Sequence, residues 1–116
     1  MLKAAGADIP KPVYFSGLGI AYAQQGQYPL AVAAYQKSLA LDPANSFTLL
    51  QMGMAQAFAG DEEEAALTIR QSIIAAIANN EKPNAENGLN ALASLGLESQ
   101  LSQVELKLIQ EKVRKL

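Results

Sequence analysis

The densest group of chemically capable side chains in the sequence is a run of three carboxylates, Glu62-Glu63-Glu64. Successive helical positions point about 100° apart, so three consecutive acids cannot converge on one ion. Their place directly after Gly60-Asp61 suits the first turn of a helix, where the dipole favours negative charge. The chain has no cysteine and no histidine. Thiol nucleophiles, Cys/His zinc sites and imidazole general bases are thereby removed. With no evident carboxylate pair either, the expectation is a protein that is not an enzyme and needs no cofactor or metal. The remaining conspicuous residues, Tyr22, Tyr28 and Tyr35 with Gly19 and Gly26, alternate large and small at helical spacing. A packed helix pair requires that alternation, so these read as scaffold.

The elements that hold such residues must be built from 116 residues, enough for one domain and one core. Half the residues are hydrophobic and only 17% are charged, so some apolar surface is expected to meet a partner or the rest of a longer chain. The formal charge is −2, with nine Lys and Arg scattered among eleven acids. Phosphate neutralisation needs a basic face, so nucleic acid is not an expected partner. No stretch approaches the ~18 apolar residues of a membrane span. The start, Met1-Leu2-Lys3-Ala4-Ala5, lacks the apolar run of a signal peptide, which favours the cytoplasm. A cysteine-free domain suits the bacterial periplasm equally well, so the compartment stays open.

The strongest signal is internal repetition. Phe15-x-x-Leu18-Gly19-x-x-Tyr22 is followed by Ala31-x-x-x-Tyr35 and Pro43. In a 34-residue frame Leu49, Met52, Gly53, Ala65, Ile69 and Ser72 stand where Phe15, Leu18, Gly19, Ala31, Tyr35 and Ser38 stood. Gly26 superposes on Gly60, and Gln56 replaces Tyr22. The pattern resembles the tetratricopeptide repeat. It implies an all-α fold of antiparallel helix-turn-helix units stacked as a short right-handed α-solenoid: two units and a degenerate C-terminal helical pair. Packing alone asks for small residues where helices approach, and Gly19 against Ala31 or Gly53 against Ala65 would supply them.

In chain order, residues 1–11 carry Gly6, Asp8 and Pro10 and read as a flexible lead-in to a single domain. Repeat one, residues 12–44, predicts helices from Pro12 or Val13 to Gln25 and from Tyr28 to Leu41. Repeat two, residues 45–80, predicts a helix capped by Asn45 or Ser46 and reaching Ala59, then a longer one over Glu62–Ala78 with Asp61 as cap. Residues 83–116 form the degenerate unit, with helices over Pro83–Leu95 and Gln103–Lys115. Ser102-x-x-Glu105 there is a capping box bracketed by Leu101 and Leu106. Val104, Leu106, Leu108, Ile109, Val113 and Leu116 give the last helix a broad apolar stripe that would cap the array, with Lys107, Glu111 and Lys115 at i,i+4 spacing opposite.

The family resemblance implies a scaffold that takes a protein segment in a concave groove lined by the first helix of each repeat. Carried over by position, the groove residues are Ser16, Ile20 and Gln24, with Val13 and Ala23, in repeat one. In repeat two they are Phe47, Leu50, Met54 and Phe58, with Ala57. Family members that clamp a carboxylate use Lys and Asn at several of these places, where Ser16, Ile20, Leu50 and Met54 stand here. The implied partner is therefore a peptide or amphipathic helix with an apolar face. Gly17-Leu18-Gly19 followed by Gly26-Gln27-Tyr28 looks like the repeats of chaperones for secretion translocators, suggesting a chaperone or assembly factor of a bacterial secretion, pilus or envelope system. A homodimer closed through the groove, or a fragment of a longer array, is the alternative.

Overall fold

The computed structural model describes residues 11–116. The expected lead-in, apart from Lys11, lies outside the described residues. Six α-helices follow in order: α1 (Pro12–Gln24), α2 (Tyr28–Leu41), α3 (Ser46–Phe58), α4 (Glu62–Ala78), α5 (Lys82–Ser94) and α6 (Gln103–Arg114), with a 3₁₀ turn at Glu98–Gln100 before the last. Among the described residues there is no strand.

The helices end where the chain can turn left-handed. Gly26, Gly60 and Gly96 have φ of 75°, 92° and 69°. The N–H groups of Gln27, Asp61 and Leu97 close back onto the carbonyls of Tyr22, Gln56 and Leu92, satisfying orphan acceptors at each helix end. After α4 the same closure, from the Glu81 N–H to the Ala76 carbonyl, is made over Asn80 at φ 58°, one of the few side chains that tolerate this region. Helix starts are more varied. Pro12, Pro29 and Pro83 sit in first turns, and the Asn45 carboxamide caps α3 by accepting from the Thr48 N–H at 3.0 Å. The expected Asp61 cap is not made: its side chain accepts no hydrogen bond from α4, which begins with three solvent-exposed glutamates instead.

Helix pairs α1–α2 and α3–α4 form hairpins, and α2–α3 and α4–α5 join them in sequence. The close approach inside each hairpin differs from the expected glycine-on-alanine contact. A Cβ at Gly19 would lie 2.5 Å from Cε1 of Tyr35, and one at Gly53 would lie 2.5 Å from Cγ1 of Ile69 and 3.4 Å from the Ala65 carbonyl. Each glycine is thus a socket for the large residue one turn beyond the alanine. Gly88 repeats the device between units, since its Cβ would meet Cγ1 of Ile73 at 2.5 Å. The sequence reading passed over Gly88 because it falls one position out of the repeat frame.

Two apolar clusters result. A small one joins Ala31, Tyr35 and Ala55, and a larger one runs from Leu50 through Ile69, Ile73 and Leu92 to Ile109 and Val113. Polar ties join helices within and between the units. Ser38 donates to the Pro12 carbonyl at 2.8 Å, and Ser46 donates to the Glu81 carboxylate at 2.6 Å while accepting from Asn84 at 3.0 Å.

The C-terminal unit keeps its first helix: α5 packs on α4 as α3 packs on α2. Its second helix is replaced by the 3₁₀ turn and α6, which buries Ile109 and Val113. The expected stripe on α6 is narrower than its sequence suggests, because Val104 and Leu108 face solvent. The capping box is half-formed. Ser102 accepts from the Glu105 N–H at 3.1 Å, but the Glu105 carboxylate reaches α4 and pairs with Arg70 at 2.8 Å. Glu111 pairs with Arg114 and, at 3.6 Å, with Lys115, leaving Lys107 outside the expected charge ladder.

Candidate functional site

The first helices of the three units share one face, and three adjoining depressions run along it. The first, of about 560 Å³, lies between α1 and α3 and includes Ser16, Ile20 and Phe47 in its walls. The second, about 290 Å³, lies deeper in the same cleft and brings Ile20 and Gln24 to Met54 and Phe58. The third, about 440 Å³, lies between α3 and α5 and joins Phe47, Leu50, Met54 and Phe58 to Asn87 and Asn90. All seven groove residues expected from the sequence thus line the depressions. Phe58 bridges the second and third, and its ring packs 5.4 Å from that of Tyr28.

Exposure separates these residues into rim and floor. Phe47 and Phe58 are 47% and 59% exposed, Met54 is half-buried, and Leu50 is only 8% exposed because α5 packs over it. Of the expected groove residues on α3, Phe58 is therefore open and Met54 partly so, whereas Leu50 belongs to the core. Ser16 is half-buried, and its hydroxyl donates to the Val13 carbonyl one turn back. Gln24 is exposed at the end of α1.

The polar lining of the third depression was not expected: Gln51, Asn84, Asn87, Asn90 and Ser94. Gln51 lies one turn before Ala55 on the inner face of α3, where its polar amide stands outside the apolar pattern that marks the groove. Asn87 and Asn90 were passed over because the C-terminal unit read as a cap rather than a wall. Their spacing on α5, with Asn84 a turn earlier, is the signal that a helical wheel would have shown.

The second and third depressions have no charged side chain in their walls. The hydroxyl of Tyr35, which lines the second, is buried and has no hydrogen-bond partner among the described residues, and burial pushes its pKa up from the ordinary tyrosine value. Among the described residues no three acids gather into a metal-type cluster, and Glu62, Glu63 and Glu64 all fan into solvent. Nor is any described helix long and apolar enough to cross a membrane.

Stacked helical hairpins that leave a cleft along one side define a helical-repeat architecture. Residues 12–45, the first hairpin and the turn after it, match the family model of the tetratricopeptide repeat. The match supports reading that hairpin as a tetratricopeptide repeat, a kind of repeat that generally mediates protein–protein interaction. No curated protein and no solved structure matches the chain.

Proposed function

We propose that the cleft along α1, α3 and α5 holds an apolar segment of another protein, and that the chain serves as a chaperone or assembly factor shielding such a segment. The observation that carries this reading is the pair of half-exposed phenylalanines, Phe47 and Phe58, flanking Met54 in walls without charge. Large apolar groups at a rim give up hydration only when something covers them, and each covered ring removes area worth about 25 cal/mol per Å². Methionine adapts to differently shaped side chains. A free carboxylate finds no cation in the second and third depressions, so the recognised feature is an apolar face rather than a chain end. A client from a bacterial secretion, pilus or envelope assembly fits this chemistry.

The test is a fluorescence-anisotropy titration with a labelled, leucine-rich amphipathic peptide, run on the wild-type chain, Phe58→Glu and Met54→Glu beside their thermal melts. Wild-type chain should bind, and both variants should lose roughly tenfold or more in affinity with Phe58→Glu melting as wild type, because an unpaired charge resists burial under a ligand. Undiminished binding by both variants would remove the cleft from consideration. A collapsed melt for Phe58→Glu would make that ring scaffold instead.

A further inference from the structure

The third depression has two walls of different chemistry, and each recurs at helical spacing. On α3 it is lined by Phe47, Gln51, Met54 and Phe58, in steps of four, three and four residues. On α5 its rim is Asn87, Asn90 and Ser94, in steps of three and four. Such steps keep side chains on one face of a helix. The α3 wall is mainly apolar, with Phe47 and Phe58 exposed above a floor of buried Leu50 and Ala91. The α5 rim is amide and hydroxyl. Asn84, at its foot, is engaged, donating to Ser46 at 3.0 Å. Asn87, Asn90 and Ser94 are exposed, and their side chains make no hydrogen bond to another described residue.

We infer, resting on the reading of the cleft as a client site, that this depression takes one client helix laid along α3 and α5. Its apolar stripe meets α3, and an uncharged polar edge of Asn, Gln, Ser or Thr meets Asn87, Asn90 and Ser94. Length and pitch favour a helix over an extended segment. Phe47 to Phe58 and Asn84 to Leu95 each cover about 16 Å of helix axis, the length of three turns. The polar rim recurs about every 4.5–6 Å along α5, close to the 5.4 Å pitch of a second helix alongside, so one client residue per turn meets each group. An extended segment presents same-side residues about 6.6–6.8 Å apart and falls out of step with three such groups. Charge then selects the edge. A carboxamide both donates and accepts, so it pairs with another amide or a hydroxyl without either being charged. The walls hold no cation to receive a carboxylate, and Glu86 lies on the other side of Asn87 and Asn90. An acidic edge would therefore be desolvated without a partner and repelled.

The test uses labelled, lactam-stapled amphipathic peptides that share one leucine stripe and differ only in the edge residues, Gln, Ala, Glu or Lys, read by fluorescence anisotropy. Wild-type chain should bind the Gln-edge peptide about tenfold more tightly than the Glu-edge one. The double variant Asn87→Ala, Asn90→Ala should bind the Gln-edge peptide about tenfold more weakly and the Ala-edge peptide unchanged. Its melt should be no lower than wild type, because both positions are exposed and alanine favours a helix. Equal affinity for Gln and Glu edges, or tighter binding of the Lys-edge peptide, overturns the inference. So does a double variant that binds the Gln-edge peptide as wild type does. An unstapled, proline-interrupted Gln-edge peptide that binds as well as the stapled one overturns it in favour of an extended client. In each of these cases a loss of binding in Phe58→Glu still upholds the cleft, so the two readings fail separately. If no peptide binds the wild-type chain, both fall.

Discussion

Gly17 and Gly19 lie two residues apart on α1, yet added side chains should act on them in opposite senses. At Gly19 the Tyr35 ring occupies the space, and Tyr35, 1% exposed, has nowhere to withdraw. Gly19→Leu should cost about 1–3 kcal/mol by overpacking, more than the helix propensity it gains. Gly17→Ala meets nothing and should add about 0.5–1 kcal/mol. Urea midpoints of the two variants check both signs. Tyr35 offers a further test, because its buried hydroxyl is unpartnered. Removing an unsatisfied buried group by Tyr35→Phe should leave stability unchanged or raise it by up to about 1 kcal/mol. The pH response follows from the raised phenol pKa. Stability owed to keeping the phenol neutral is full below the unfolded value, about 10, and is lost as pH rises through the higher folded value. Denaturation midpoints between neutral and strongly alkaline pH should therefore fall less for Tyr35→Phe than for wild type.

At the scale of elements, α6 is the piece most dependent on a few contacts. Its own helix gains the Ser102 cap, its apolar face supplies Ile109 and Val113, and one ion pair, Arg70–Glu105, ties it to α4. The two side chains are about a third exposed, so screening holds the pair's own worth to no more than about 1 kcal/mol. Ser102→Ala should cost about 1 kcal/mol of helix stability. In a repeat array such losses stay near their origin. Hydrogen exchange should then quicken in α6 for Ser102→Ala and for Glu105→Gln while protection in α1 and α2 is unchanged; equal loss along the chain would mean one cooperative unit.

Across the whole molecule, 55 Å long and 17 Å in its thinnest direction, the core is unevenly shared. The larger cluster spans α3 to α6, and the smaller joins α2 and α3, with α1 packed at its margin. Native-state exchange should find α1 and the start of α2 opening before α4 and α5, because fewer buried groups hold them.

Much of this was legible in the residues themselves. Helix starts and stops depend on local chemistry, so Gly26, Gly60 and Gly96, the first-turn prolines and Asn45 marked them within a residue or two. The 34-residue recurrence identified the hairpins, and the family resemblance it carried implied which helices line the cleft. Other features came only with tertiary packing. Leu50 and Phe58 both read as apolar groove positions of α3, and only the tertiary packing buries one and leaves the other at the rim. Glu105 has the spacing of a capping box, but Arg70, distant in sequence, draws its carboxylate away. Asn87 and Asn90 become cleft walls for the same reason. A residue's neighbours along one helix follow from its position, whereas its neighbours on other helices depend on how those helices cross, which here turns on single sockets such as Gly88 beneath Ile73.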